Sequence, residues 1–261
     1  MSSGTLQWTA EGDRAFRMSG GTMAGWLSGG RVRVVAAAAL ALTVLAGCSV
    51  VHLRSSEPAP GSPTRVQVEA LLGRVRVVAT REHRPGYQRK CSGDQGCVFG
   101  PAWTDDSDAP GAHDGCDTRN NVLARSMTAV TYRPGTRNCV VLTGRLADPY
   151  SGTTIDFRKR EAAVVQIDHV YPLAAAWDMG AWRWDLPRRI RFANDLDYNL
   201  LAVRGSDNQD KRDHTPADWL PPNRAYRCFY AGKFLTVAVT YDLPITDGDR
   251  RALAGVARGC R

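Results

Sequence analysis

The chain has 261 residues, with 34 Lys and Arg against 26 Asp and Glu and a formal charge of +8; 43% of it is hydrophobic and 23% charged. These values exclude a disordered or fibrous chain, and a single long apolar run excludes a polytopic membrane protein. The positive balance permits a nucleic-acid partner without demanding one, and seven cysteines suit an exported protein better than a cytosolic one.

The first feature in chain order is an export signal. Arg31 and Arg33 precede a short, mostly apolar run that ends in Leu45-Ala46-Gly47-Cys48. A charged start, a short apolar centre and small residues at the cut describe a secretory signal, too short for a membrane span. The ending resembles a bacterial lipobox, which implies cleavage before Cys48 and lipid on its thiol. Lipidation also accounts for the odd cysteine. The polar stretch holding Trp8, Glu11 and Asp13 is unlike a signal, so the start is either Met1 or Met23. The expected organisation is a lipoprotein-type signal over 1–47, a Pro/Ser-rich tether over 48–64, and one folded domain over 65–261.

Six cysteines remain: Cys91, Cys97, Cys116, Cys139, Cys228 and Cys260. An even set in an oxidising compartment implies three disulfides, with fifteen formal connectivities. Pairing neighbours (91–97, 116–139, 228–260) is the simplest. No CxxC occurs and the spacings match no zinc pattern.

Apolar positions Val66, Val68, Leu71, Leu72, Val75 and Val78 predict a helix over 65–80 that turns into a strand. Residues 84–115, rich in Gly, Pro and Asp, read as a long loop stapled by cysteines. A short helix over 117–127 follows, with Asp117 as its N-cap. Segments 140–146 and 153–157 flank Asp148-Pro149-Tyr150-Ser151-Gly152 and predict a hairpin. Residues 163–171 read as a strand stopped by Pro172, 173–194 as helical, 199–203 as a strand and 206–219 as a short helix. Two more helices cover 223–241 and 246–258. The class is α+β.

The chemistry concentrates in 168–211. Asp168-His169 ends an apolar strand, and burying two polar side chains there costs free energy unless each finds a partner or a metal. A second copy, Asp213-His214, lies in a polar stretch and needs no explanation beyond a surface position. Asn199 opens the next strand, Asn208 follows nine residues later near a helix start, and Lys211 three beyond that.

This pattern resembles the HNH, or ββα-metal, nuclease motif. The wider stretch is similar to secreted actinobacterial HNH endonucleases, relatives of the HNH part of GmrSD-type restriction enzymes. The shared segments are Asp168-His169-Val170 with Pro172-Leu173, Ala176-Trp177-Asp178 with Gly180-Ala181, Phe192-Ala193-Asn194-Asp195-Leu196, Asn208 with Lys211, and Pro216-Ala217 with Trp219-Leu220-Pro221-Pro222. The resemblance covers roughly 65–261, with a motif core at 163–220. It implies a ββα-metal finger embedded in a helical, disulfide-stapled domain. Compact HNH motifs lack the 30-residue gap between His169 and Asn199, but the nearer relatives have it.

The residue types suit phosphodiester hydrolysis. His169 is the candidate base for water, because imidazole titrates near neutral pH. Asp168 and Asn208 offer hard oxygens to one Mg²⁺ or Mn²⁺ ion, completed by waters and phosphate oxygens. The resemblance implies that Asn199 orients the base and that products carry a 5′ phosphate. Lys211, with Arg204 and Arg212 as weaker candidates, is expected on phosphate. The expected substrate is nucleic acid, DNA before RNA, cut by a monomer outside the cytoplasm. That monomer is either held at the outer face of the membrane by lipid on Cys48 or secreted. Arg183, Arg188, Arg189 and Arg191, with Arg158 and Lys159, are either a phosphate track or a solvated face. Trp177, Trp182, Trp184 and Trp219 read as core packing rather than a base-stacking platform. Arg119 has no assigned role. The competing classes are a non-catalytic surface lipoprotein that keeps the fold as a binding module, and a hydrolase of another phosphate ester.

Overall fold

A computed structural model describes residues 57–92 and 95–261, so the signal-like segment 1–47 and Cys48 lie outside the described residues. Helix α1 (Arg65–Leu72) starts at a capping box, in which Thr64 accepts from the Gln67 amide and the Gln67 side chain accepts from Thr64. It buries Val68 and Leu71 against α6 (Arg227–Tyr241) and α7 (Asp247–Ala257). Helix α6 is buried on almost every side, with Phe234, Leu235 and Val237 fully enclosed. Each such side chain contributes about 1.5–3 kcal/mol of apolar burial. The short strand β1 (Val77–Val78) pairs in parallel with β9 (Ile245–Thr246), directly before α7.

A second, smaller core lies under a three-stranded antiparallel sheet. Strand β2 (Cys91–Ser92) and strand β3 (Gln95–Gly96) form a small hairpin in the long loop before it. Helix α2 (Thr118–Ser126) is capped by Asp117, as its sequence predicts, and buries Val122 and Leu123. It runs directly into β4 (Met127–Tyr132), which pairs with β5 (Val141–Ala147) and through it with β6 (Thr154–Arg158). The predicted hairpin is therefore the far half of a larger sheet. Its turn is held by the Asp148 carboxylate, which accepts from the amide and hydroxyl of Ser151.

Strand β7 (Val165–His169) pairs antiparallel with β8 (Leu200–Arg204), placing Asp168 opposite Leu201 and His169 opposite Leu200. Val165, Ile167, Leu200 and Ala202 join the second core, whereas Val170 and Tyr171 enter the first. The strand end thus sits between the two cores. Between β7 and β8 run α3 (Leu173–Asp178) and α4 (Leu186–Ala193). Strand β8 passes into α5 (Gly205–Lys211), shorter than the predicted 206–219 helix. It stops because Arg212 adopts a left-handed backbone (φ 51°) and Pro216 follows.

The described residues form one compact unit of mixed helix and strand. All three neighbouring cysteine pairs are bonded: Cys91–Cys97, Cys116–Cys139 and Cys228–Cys260. Residues 57–64, read as the end of the tether, lie against this unit: Ala59 donates to the Ala225 carbonyl, Glu57 pairs with Arg261, and Pro63 is buried. Among the described residues no helix is long and apolar enough to cross a membrane.

Gly205 is required where β8 meets α5. A Cβ there would stand 2.1 Å from the Ala163 carbonyl oxygen, a backbone atom that cannot swing away. Gly205→Ala is therefore expected to destabilise the domain by about 1–3 kcal/mol in urea unfolding, through forced separation of α5 from the turn that leads into β7. An unchanged midpoint would contradict this packing.

Candidate active site

Arg119 explains how β7 is placed. From α2 its guanidinium donates to the carbonyls of Ala162 and Val165, clamping the start of the strand. Alternation along the strand then sends Gln166 and Asp168 to one face and Ile167 and His169 to the other.

Asp168 is 3% exposed. Its Oδ1 accepts from Lys211 Nζ at 2.8 Å and its Oδ2 from the Tyr150 hydroxyl at 2.5 Å. Burial pushes the Asp168 carboxyl up, and the Lys211 charge opposes that shift. Burial likewise pushes Lys211 down, against the pull of Asp168. Lys211 also donates to the His169 carbonyl at 2.8 Å, so the ammonium is an internal brace for the strand end. Tyr150 is fully buried among Trp219, Tyr226 and Tyr230, and burial with the nearby carboxylate raises its pKa well above the usual phenol value. It remains a donor at neutral pH.

His169 is 7% exposed. Its Nε2 lies 2.9 Å from the Ala193 carbonyl, which can only accept, so Nε2 carries the proton and Nδ1 keeps its lone pair. The ring stacks on Trp103, with centroids 5.6 Å apart and planes 14° off parallel. Burial, helped by the charge of Arg89, lowers the His169 pKa to about 3, so the ring does not titrate near neutral pH as its residue type suggested but stays a neutral imidazole there. Asn199 does not touch the ring. Its Oδ1 accepts from the Tyr171 amide and its Nδ2 donates to the Phe192 carbonyl, one residue before the carbonyl that holds His169. Asn199 thus fixes the backbone that fixes the imidazole.

Asp168, His169, Asn208 and Arg212 line one cavity of about 470 Å³, together with Tyr87, Arg89 and Gln166. Asn208 donates through Nδ2 to Gln166 Oε1 at 2.8 Å, leaving its own Oδ1 without a partner among the described residues. Two expected phosphate contacts are placed elsewhere. Lys211 is fully buried beneath Asp168, where a substrate phosphate does not reach it. Arg204 is held in a two-pronged pair with Asp207. The second Asp-His copy is half-buried, and its Asp213 pairs with Arg81.

Among the described residues no group of three or more His, Cys, Asp or Glu side chains could hold a metal. A cation in this cavity would meet the Asp168 carboxylate, each of whose oxygens accepts one hydrogen bond and retains a lone pair, and the Asn208 amide oxygen. Two hard oxygens fit an ion that keeps most of its waters, as Mg²⁺ does, and not zinc.

Sequence reading missed Tyr150, Gln166, Arg89 and Trp103. Gln166 was accessible from strand alternation with Asp168. Tyr150 sits in a turn whose sequence explained itself as a turn. Arg89 and Trp103 come from the loop before α2, whose path no local pattern encodes.

Residues 117–256 match the C-terminal domain of GmrSD restriction endonucleases. The match spans more than half of the chain, and the chain belongs to this family. Its members are nuclease-related, and nucleic acid is the substrate class. The chain is also 38% identical over 146 residues to an uncharacterized secreted protein of Arthroderma benhamiae, covering 56% of this chain and 68% of that protein. No solved structure matches. Asp168, His169, Asn199, Asn208 and Lys211 lie inside the matched region; Arg89 and Trp103 lie before it.

The hydrogen bond to Ala193 makes a direct prediction. Nitrogen-15 NMR of metal-free protein should show His169 as the neutral Nε2–H tautomer from pH 8 down to pH 5. Because the native pKa lies below the ordinary 6.5, the unfolded chain binds the extra proton first, so His169 subtracts stability as pH falls from 6.5 towards 3. Protonation of the folded ring near pH 6.5 would contradict the geometry.

Proposed function

We propose that the chain is an exported, metal-dependent endonuclease of the HNH type, in which β7, β8 and α5 make up the ββα-metal finger. One observation carries this reading. A neutral imidazole, held through Nε2, stands next to a buried carboxylate on the wall of a cavity that also exposes the amide of Asn208. On this reading they serve as a base and two cation ligands along one cavity.

The reaction follows from the residues. His169 Nδ1 takes a proton from water as the water oxygen bonds to phosphorus. The bond from phosphorus to the 3′ oxygen breaks, and that oxygen leaves with a proton from solvent, giving a 5′ phosphate and a 3′ hydroxyl. A single Mg²⁺ or Mn²⁺ held by Asp168 and Asn208 would supply charge stabilisation to the phosphorane and the leaving oxygen. Asn199 keeps the base in register through the Phe192–Ala193 backbone, and Arg212 contacts substrate phosphate. Lys211 and Tyr150 hold the Asp168 carboxylate in its orientation. The substrate is DNA in preference to RNA, and the enzyme acts as a monomer.

The same reading places the enzyme outside the cytoplasm. Three disulfides among the described residues suit an oxidising compartment, and the relative from Arthroderma benhamiae carries the name of a secreted protein. Residues 1–47 act as the signal, Cys48 carries lipid at the outer face of the membrane, and the Pro/Ser-rich stretch that begins there tethers a nuclease domain whose folded part takes in 57–64 as well as 65–261, with its motif core at 163–220. Release as a soluble secreted form is the alternative fate.

The folded chain from residue 48 onward is expected to nick and linearise supercoiled plasmid with Mg²⁺ or Mn²⁺ and to stop in EDTA. His169→Ala should lower the rate by about 100-fold or more, the scale of a lost general base. Equal cutting by the variant would sink the assignment. DNA binding without cutting, unchanged in the variant, would identify a binding module instead.

A further inference from the structure

Arg89 is the cation in the best position to meet a substrate. It stands on the loop before α2, just outside the disulfide-closed hairpin of Cys91 and Cys97, and outside the region that matches the family. It is exposed and has no carboxylate partner among the described residues. It lines the large cavity that holds Asp168 and Asn208, and also a smaller one of about 40 Å³ on the Trp103 side of His169. Arg212 reaches only the first of these. Lys211, the cation that sequence spacing offers for this task, is neutralised inside the protein by Asp168.

We propose that Arg89 binds the non-bridging oxygens of the scissile phosphate and supplies the cationic contact that the family-matched domain does not provide from Lys211. A guanidinium offers two parallel N–H donors that fit two oxygens of one phosphate. Because Arg89 and His169 line the same cavities, those donors hold the phosphorus within reach of the base. They also oppose the negative charge that builds on the phosphoryl oxygens as the fifth bond forms. The inference rests on the nuclease reading above and deepens it by naming the residue that grips the phosphate.

The test uses two arms on the folded chain from residue 48 onward. One measures kcat and KM for a duplex oligonucleotide with Mg²⁺. The other measures affinity for the same duplex in EDTA by fluorescence anisotropy over a range of salt. Arg89→Ala is expected to lower kcat/KM by about 10- to 100-fold, the range for a lost charge-assisted contact. It should also weaken binding and make the slope of log affinity against log salt shallower by about one. Arg89→Lys should restore the salt slope but not the full rate, because an ammonium keeps the charge and loses the fork. Arg251→Ala, on the exposed side of α7, is the control and should match wild type. Arg89→Ala indistinguishable from that control in both arms would overturn the proposal. If wild type binds without cutting, the nuclease reading fails and the anisotropy arm alone decides Arg89. If it neither binds nor cuts, both fail.

Discussion

A carboxylate buried at the end of a strand dictates much of what surrounds it. Taking Asp168 out of water costs several kcal/mol unless charge and hydrogen bonds are returned to it. Lys211 returns the charge and the Tyr150 hydroxyl the second hydrogen bond. Both partners impose conditions on distant parts of the chain. For Lys211 to arrive beneath β7, α5 must turn back immediately after β8, which is why its first residue is a glycine pressed against Ala163. For Tyr150 to arrive, the β5–β6 turn must reach across, and Asp148 ties it there by accepting from the Arg204 amide. Removing either partner would leave an under-satisfied ion in the interior. The orientation of the carboxylate is therefore fixed by fold stability and not by side-chain preference alone.

The imidazole is handled by a different route. Its proton position is set by the Ala193 carbonyl at the end of α4, and Asn199 holds the preceding carbonyl, that of Phe192. The helical stretch between His169 and Asn199 is thus part of the site and not a spacer. It delivers Ala193 to the ring and packs Phe192 against Tyr171 and Tyr241 in the main core. From the other side the loop before α2 lays Trp103 along the ring. That loop lies ahead of the family-matched region. The cysteine pairs 91–97 and 116–139, near its two ends, limit how far it can move.

Most of the element order was legible because local signals agreed with tertiary packing. Asp117 caps the helix it precedes, and the Asp148–Gly152 turn joins the strands it separates. Strand β4 was not legible: its Met127–Tyr132 run follows a helix without a break and acquires its pairing only from β5. At the site, the Asp168, His169 and Asn208 positions were legible from strand-end and helix-start spacing, and all three line one cavity. The destination of Lys211 was not. Spacing puts it on the same helix as Asn208, but a turn further on the side chain points inward, and only the buried charge of Asp168 explains why a lysine is tolerated there. Tryptophans 177, 184 and 219 pack as the helical spacing suggested, whereas Trp182 is exposed between Arg84 and Arg183.

On the proposed reading the Asp168 carboxylate, braced from behind, still has capacity for a divalent ion on its cavity side. Anomalous diffraction from crystals soaked in Mn²⁺ addresses this most directly. One manganese peak is expected in the cavity, bonded to an Asp168 oxygen and close to Asn208, with the Lys211 and Tyr150 contacts intact. No peak there at saturating Mn²⁺, with Asp168 bound only to its two internal partners, would contradict it.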